Sequence, residues 1–390
     1  MSAESTPRSS MDSFRSYSPT PSIRSEPDLL APSVAGPMVW KGEELQPSRY
    51  ITKLGLSEIE QIRSAVIGFK LTGKTRDAIN KKTFPLSSQL SKKFAVISDE
   101  LHRGTGVAVV RGLDAAHLND EEAVIAFAGI SSHICALRAS DSYANQALSH
   151  VRDATHDKVP IYAKDIGLAG SKITAKMDFH SDRFSGDILA LHVRNDGGAG
   201  SGGEQYLASF WKIYNELLET EPAVLETLAQ PDWPFELKQK DGAPYLELGP
   251  VLFISKGRPI CQLVKAPLLG SPRIPRDPTL PMLSADQKHA IEVVEQLAKK
   301  FCSKLDRKTG DIQFINNLSI MHARSAYGNK NKRSSRHLLR MFIRDPVNAW
   351  EKPLTCRTNF DDPFDRTRPQ EIPIVDLDPW RKISGRESHG

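Results

Sequence analysis

Two short stretches of this chain carry the side chains best suited to chemistry. Met177-Asp178-Phe179-His180-Ser181-Asp182 sets a histidine and an aspartate two positions apart, and Asn317-Leu318-Ser319-Ile320-Met321-His322 supplies a second, isolated histidine. An apolar run studded with arginine follows, ending Arg336-His337-Leu338-Leu339-Arg340-Met341-Phe342-Ile343-Arg344. Two imidazoles and one carboxylate can occupy one face of Fe(II), leaving three positions open for a co-substrate and dioxygen. His180, Asp182 and His322 are therefore the candidate metal ligands and catalytic residues. A guanidinium downstream of the second histidine fits the same chemistry, because its planar fork can grip a carboxylate with two parallel hydrogen bonds.

These residues need strands to position them. From Ile173 to Asp182 apolar and polar residues alternate, which predicts a strand with one apolar face. Side chains two apart lie on the same face, so His180 and Asp182 can point at one shared atom. A solvated strand shows the same pattern, and the segment alone leaves both readings open. His322, on a parity shared with Phe314, Leu318 and Ile320, would by itself be a core histidine; the ordered set makes it a ligand. His133, His150, His156, His192 and His337 keep the plain structural reading. Trp211 and Tyr214, at helical spacing, are expected in the core.

Further elements frame this pattern. Ser57-Glu58-Ile59-Glu60 fits a capping box opening a helix through about Phe69, and Gly106 to Arg111 reads as a buried strand. Asn119 begins a helix through about Ala128, with acids at its N-terminal end. Residues 186–193 form another strand, followed by a glycine-rich loop from Gly197 to Gly203 that reads as a flexible linker. Ser209 caps an amphipathic helix, residues 251–254 and 260–264 suggest a hairpin, and Ser284 caps a helix to about Leu305. Ile312 to Ile320 and His337 to Ile343 supply strands. From Arg357 onward the composition predicts an extended segment on the surface. The ligand-bearing segments lie about 140 residues apart, and a curled β-sandwich can bring such strands together around one interior site.

Bulk properties narrow the setting. Residues 1–37 are rich in Ser, Pro and Arg, too poor in apolar surface to offset ordering entropy, and are expected to be a disordered tail. Residues 38–390 then form a single domain with an extended C-terminal segment. No apolar run reaches membrane-spanning length, and no signal-peptide core opens the chain. Four scattered cysteines without C-x-x-C spacing point to reduced thiols in a cytoplasmic protein. A net charge of +5 with no recognisable nucleic-acid module argues for neither nucleic acid nor membrane as a partner.

The chain resembles the taurine dioxygenase/clavaminate synthase-like superfamily of Fe(II)- and 2-oxoglutarate-dependent oxygenases. The similarity covers roughly residues 100 to 346 and rests on an ordered set: Phe179-His180-Ser181-Asp182, Gly202-Gly203-Glu204-Gln205-Tyr206, Ile213-Tyr214-Asn215-Glu216-Leu217, Asn317 to Arg324, and Arg336 to Arg340. The resemblance implies a mixed α+β fold with a double-stranded β-helix (jelly-roll) core flanked by helices. It implies Fe(II) on His180, Asp182 and His322, with 2-oxoglutarate and O2 as co-substrates. Arg336, fourteen residues beyond His322, matches the co-substrate arginine of the clavaminate synthase-like branch, and Arg340 matches a second pocket arginine, expected at an anionic substrate or as a brace for the co-substrate. Arg333 competes with Arg336, although Lys330, Lys332 and the adjoining serines read as an exposed loop. Gln205 stands where a hydroxyl residue often helps hold 2-oxoglutarate, and Arg183-Phe184-Ser185 matches nothing in the pattern.

The expected reaction is hydroxylation, desaturation or cyclisation of a small, anionic metabolite, with 2-oxoglutarate decarboxylated to succinate and CO2, in secondary metabolism. With Asp182 present, its coordination position is filled, which disfavours halogenation. Two other readings use the same donors: a zinc-dependent hydrolase, which leaves the arginines without a task, and a non-catalytic binding protein on the same scaffold. Homo-oligomerisation is left open.

Overall fold

The apolar runs of the sequence assemble into two main sheets. The computed structural model describes residues 30–141, 144–161, 168–237, 245–270, 275–328, 333–377 and 379–380. In chain order the strands are β1 (Ile51–Lys53), β2 (Val107–Arg111), β3 (Leu137–Arg138), β4 (Ser149–Arg152), β5 (Met177–His180), β6 (Ile188–Asn195) and β7 (Gln205–Ser209). There follow β8 (Trp233–Leu237), β9 (Tyr245–Gly249), β10 (Leu252–Ser255), β11 (Arg258–Cys261), β12 (Ser303–Lys304), β13 (Ile312–Asn316), β14 (Ile320–Arg324) and β15 (His337–Arg344). The larger sheet runs β1-β2-β13-β6-β15-β3, with β4 also on β15, and only β1–β2 is parallel. The smaller runs β12-β7-β14-β5, antiparallel throughout. Hairpins β8–β9 and β10–β11 stand apart from both.

Alternation gives the larger sheet two buried faces. Ala108, Val110, Ile188, Ala190, Phe314 and Met341 pack against the helices Leu56–Leu71, Ser88–Arg103 and Asp120–Ile134. The opposite parity, including Val107, Leu189, Leu191, Ile315, Leu338 and Phe342, shares a second core with Leu207 of β7 and Ile320 of β14. Burying each large apolar side chain contributes roughly 1.5–3 kcal/mol, so register is strongly fixed on both faces. Arg340 and Arg344, on the parity of Leu338 and Phe342, consequently face the inter-sheet space.

Several expectations need correction. The run Ile312 to Ile320 is two strands, not one. Leu318 N–H donates to Asn316 Oδ1 at 3.0 Å, and the chain turns there from the larger sheet into the smaller. Phe314 and His322 thus belong to different sheets despite their shared parity. The strand expected from Ile173 shortens to Met177–His180, because the carbonyls of Ile173 and Ala175 accept hydrogen bonds from the Arg324 guanidinium instead of from a neighbouring strand. The glycine-rich loop is laced rather than free: Gly203 N–H donates to Ala326 O at 3.1 Å and Gly328 N–H to Ser201 O at 2.8 Å.

The chain ends also differ from expectation. Residues 31–37, read from composition as tail, are held by the helix Phe210–Thr220: Tyr214 Oη donates to Ala31 O at 2.6 Å, and Asn215 exchanges hydrogen bonds with Val34 at 2.9 and 2.8 Å. The Ser/Pro-rich stretch before residue 30 lies outside the described residues, as do Lys330 and Lys332. Beyond Arg357 the chain does not simply lie on the surface. Phe360 and Phe364 insert into the inter-sheet core, where Phe360 meets Phe184 edge-on at 4.9 Å. Among the described residues no helix is long and apolar enough to cross a membrane.

Candidate active site

His180 and His322 are cross-strand partners at the junction of β5 and β14, and Asp182 follows two residues beyond the end of β5. The imidazole rings stand 4.2 Å apart between centroids. His180 Nε2 lies 3.8 Å from Asp182 Oδ1, and His322 Nε2 lies 3.3 Å from Asp182 Oδ2. One ligand atom from each falls within 4.8 Å of the others, a spacing that lets three donors surround one ion at about 2 Å. All three side chains are buried or nearly so.

Neighbouring groups prepare these donors. His180 Nδ1 donates to Asp178 O at 2.7 Å, which leaves Nε2 with its lone pair facing Asp182. Burial, with His322 alongside, pushes the His180 pKa down to about 3, so the imidazole is neutral and ready to ligate. The backbone around Asp182 is clamped by Asn317. Its Oδ1 accepts from Asp182 N–H at 2.9 Å, while Nδ2 donates to Asp182 O at 2.7 Å and Gly186 O at 3.0 Å. Ser181 N–H donates to Leu263 O, and Phe184 N–H donates to Gln262 Oε1. On the outer side of β5, the Glu295 carboxylate accepts from Phe179 N–H at 3.1 Å.

A second cluster lies at the far end of β14. Arg336 is buried at 3% exposure, and its Nε and Nη1 find no hydrogen-bond partner among the described residues. Its guanidinium carbon sits 4.9 Å from the Tyr327 ring centroid, and that of Arg324 sits 4.7 Å from the same ring. Burial and the like charges of Arg307 and Arg324 push the Arg336 pKa down, yet a guanidinium stays charged at neutral pH. The glycines of the laced loop make room for it. A Cβ on Gly203, whose φ is +75°, would lie 2.8 Å from Arg336 Nε. Gln205 shares the interior parity of Leu207, and its Oε1 is buried without a partner among the described residues.

The remaining expected residues divide. Arg333 pairs with Asp157 and is half exposed, whereas Arg336 is buried. Arg340 donates from Nε to Ser149 Oγ at 3.1 Å, and its charge is among those acting on His180. Arg183 is buried, its guanidinium 4.3 Å from the Phe184 ring and 3.8 Å from that of Phe235, so it ties the Asp182 loop to β8. His192 packs on Phe127, and His150 Nδ1 meets His337 Nε2 at 2.9 Å. Sequence reasoning gave no role to Asn317, Arg324 or Tyr327. Reading on by two from Ile320 and His322 would have put Arg324 on the same face.

The family described as taurine catabolism dioxygenase TauD, TfdA matches residues 69–342. The chain is 31% identical over 360 residues to the taurine hydroxylase-like protein SAT17 of Stachybotrys chartarum, covering 92% of this chain and 91% of that protein. It is 24% identical over 325 residues to FR-33289 synthase of Streptomyces rubellomurinus, covering 81% and 91% respectively. Asparagine oxygenase in complex with Fe(II), 2S,3S-3-hydroxyasparagine and succinate aligns with a TM-score of 0.54 at 14% identity, over 77% of this chain and 98% of that one. The non-heme iron oxygenase OrfP in complex with Fe and alpha-ketoglutaric acid gives 0.53 at 12% identity, over 76% and 95%. At such identities the two structures speak to the fold.

Proposed function

The chain belongs to the taurine catabolism dioxygenase TauD, TfdA family, and on that basis we propose that it oxidises a small, anionic metabolite at a site between its two sheets. It is an Fe(II)- and 2-oxoglutarate-dependent dioxygenase. Its two sheets are read as the halves of a double-stranded β-helix. Bound Fe(II) would supply the coupling of 2-oxoglutarate decarboxylation, to succinate and CO2, with oxidation of the substrate.

The chain's own residues do the rest. His180 and His322 each offer an imidazole nitrogen, and Asp182 a carboxylate oxygen, within reach of one ion. The Asn317 clamp holds the backbone on both sides of the Asp182 carboxylate. Arg336 would present its N–H groups to the distal carboxylate of 2-oxoglutarate, and Gln205, whose Oε1 is buried without a partner among the described residues, would assist. Arg340 is assigned to an anionic group of the substrate. The apolar residues of the inter-sheet core exclude water, which strengthens each of these electrostatic contacts. The observation that carries the reading is the presence, in one chain, of a convergent His/Asp/His set and of a buried guanidinium, that of Arg336, which no carboxylate pairs among the described residues. A zinc hydrolase would give Arg336 no such task.

The test is an anaerobic titration of the protein with Fe(II) and 2-oxoglutarate, following the visible charge-transfer band of the chelate, with His180→Ala as the control. A band that is lost in the variant is expected. Folded, iron-loaded protein that shows no band would overturn the assignment. We further read the protein as cytoplasmic, a reading that its four free cysteines support.

A further inference from the structure

Arg324 and Tyr327 have no role of their own in the pattern read from the sequence, yet Tyr327 packs against both Arg324 and Arg336. Arg324 follows His322 by two on β14, facing the same way, and its register partner on β7 is Gln205. Its Nη2 is engaged structurally, donating to the carbonyls of Gly170, Ile173 and Ala175 at 3.5, 2.9 and 2.5 Å. Its Nε and Nη1 are buried without any partner among the described residues. A role confined to fastening residues 170–175 would use one corner of the guanidinium and leave the other two N–H groups desolvated for nothing. No carboxylate pairs with Arg324 or Arg336 among the described residues, although both are nine-tenths or more buried. Unpaired buried charges are strongly destabilising, so the pair is built to receive an anion.

Tyr327 joins the two arginines. Its ring lies against both guanidinium groups. Its backbone is fixed on both sides, by the bridge to Gly202 and by its own N–H donating to Thr174 O at 3.0 Å. The lacing of the glycine-rich loop therefore serves to hold this ring and Arg336 together. Such a pocket suits the distal carboxylate of a dicarboxylic 2-oxo acid, since a charged acceptor can satisfy several N–H donors and a phenol at once.

Resting on the dioxygenase reading above, we propose that Arg324 and Tyr327 complete the site for the distal carboxylate of 2-oxoglutarate, as a second guanidinium and a hydroxyl donor beside Arg336.

The test compares two 2-oxo acids on the anaerobic, Fe(II)-loaded full chain: 2-oxoglutarate, and 2-oxobutyrate, which chelates iron in the same way but lacks the distal carboxylate. Charge-transfer titrations are run with wild type, Arg324→Lys and Tyr327→Phe. Arg324→Lys keeps a donor for the 170–175 carbonyls but loses the fork. The expected result is about tenfold weaker 2-oxoglutarate binding in each variant, with 2-oxobutyrate binding unchanged. Equal weakening for both acids would make the role purely structural and overturn the proposal, as would unchanged 2-oxoglutarate binding. If Arg324→Lys fails to fold, Tyr327→Phe decides alone. A wild type that shows no band with either acid would instead sink the underlying dioxygenase reading, and this proposal with it.

Discussion

The two ends of β14 solve opposite problems. At the His322 end, the backbone around Asp182 is tied down by Asn317, Leu263 and Gln262, and His180 has a partner for the nitrogen that does not face Asp182. At the Arg324 end, guanidinium N–H groups are buried without partners among the described residues, and like charges crowd together. The first end is stiffened from behind so that three donors from separate positions stay convergent. The second is held in a costly arrangement by glycine lacing and by packing on Tyr327. If the second end receives an anion as proposed, a metal site and an anion site are preorganised by different means. Donors for a metal need their supports satisfied, whereas donors for an anion must be kept unsatisfied until the anion arrives.

Removing a metal ligand should disable the first end outright. Asp182→Ala and His322→Ala are expected to reduce succinate formation from 2-oxoglutarate to background, with the fold retained by circular dichroism. Truncating the second end should spare the metal. Arg336→Ala is expected to weaken 2-oxoglutarate binding on the order of 100-fold, the cost of removing charge-assisted hydrogen bonds worth about 1.5–3 kcal/mol each, while Fe(II) affinity measured by chelator competition stays unchanged. Equal loss of both affinities would erase the distinction between the ends.

Asn317→Ala tests the clamp. It leaves buried backbone groups of Asp182 and Gly186 without partners, so unfolding in urea should show a loss of about 2–4 kcal/mol. Metal affinity should fall roughly 10- to 100-fold, as for other supports of metal ligands. Gly203→Ala and Gly198→Ala refine the contrast, because both glycines have positive φ but only Gly203 would place a Cβ against Arg336. Each should cost about 1–2 kcal/mol of backbone strain, and only Gly203→Ala should also raise the 2-oxoglutarate dissociation constant.

The smallest effect concerns a histidine outside both ends. Burial, with Arg194 and His337 nearby, holds the His192 pKa down to about 3, against an unfolded value near 6.5. The unfolded chain therefore binds the extra proton first as pH falls. Its stabilising contribution is complete above pH 6.5 and is lost progressively from there toward pH 3. Between pH 7 and pH 5 this single group should lower unfolding free energy by on the order of 1–2 kcal/mol. His192→Leu should flatten that part of the pH profile, and an unaltered slope would show that other groups govern it.

How much of this was legible without coordinates can be judged residue by residue. The spacing of His180 and Asp182 already put both on one strand face, and the resemblance ordered His322, Arg336 and Arg340 behind them. Helix starts at Asn119, Ser209 and Ser284 were readable because each cap is a local hydrogen bond to the backbone three residues on. The turn at Asn316–Asn317 was not, since its reason is distant: Asn317 must reach the Asp182 loop, 135 residues away in sequence. Nor was the lacing of Ser201, Gly202 and Gly203 onto residues 326–328, which gives a flexible-looking composition a rigid task.

Side-chain type and strand or helix period act over a few residues, so the order of amino acids alone settled which chemical groups the protein owns and which neighbours share a face. Folding in three dimensions settled that Phe360 enters the core, that Arg333 goes to Asp157 while Arg336 turns inward, and that Arg324 and Tyr327 join it. Those outcomes depend on pairings between segments far apart in the chain, and burial of a charge acquires its meaning only from the groups that the fold brings, or fails to bring, beside it.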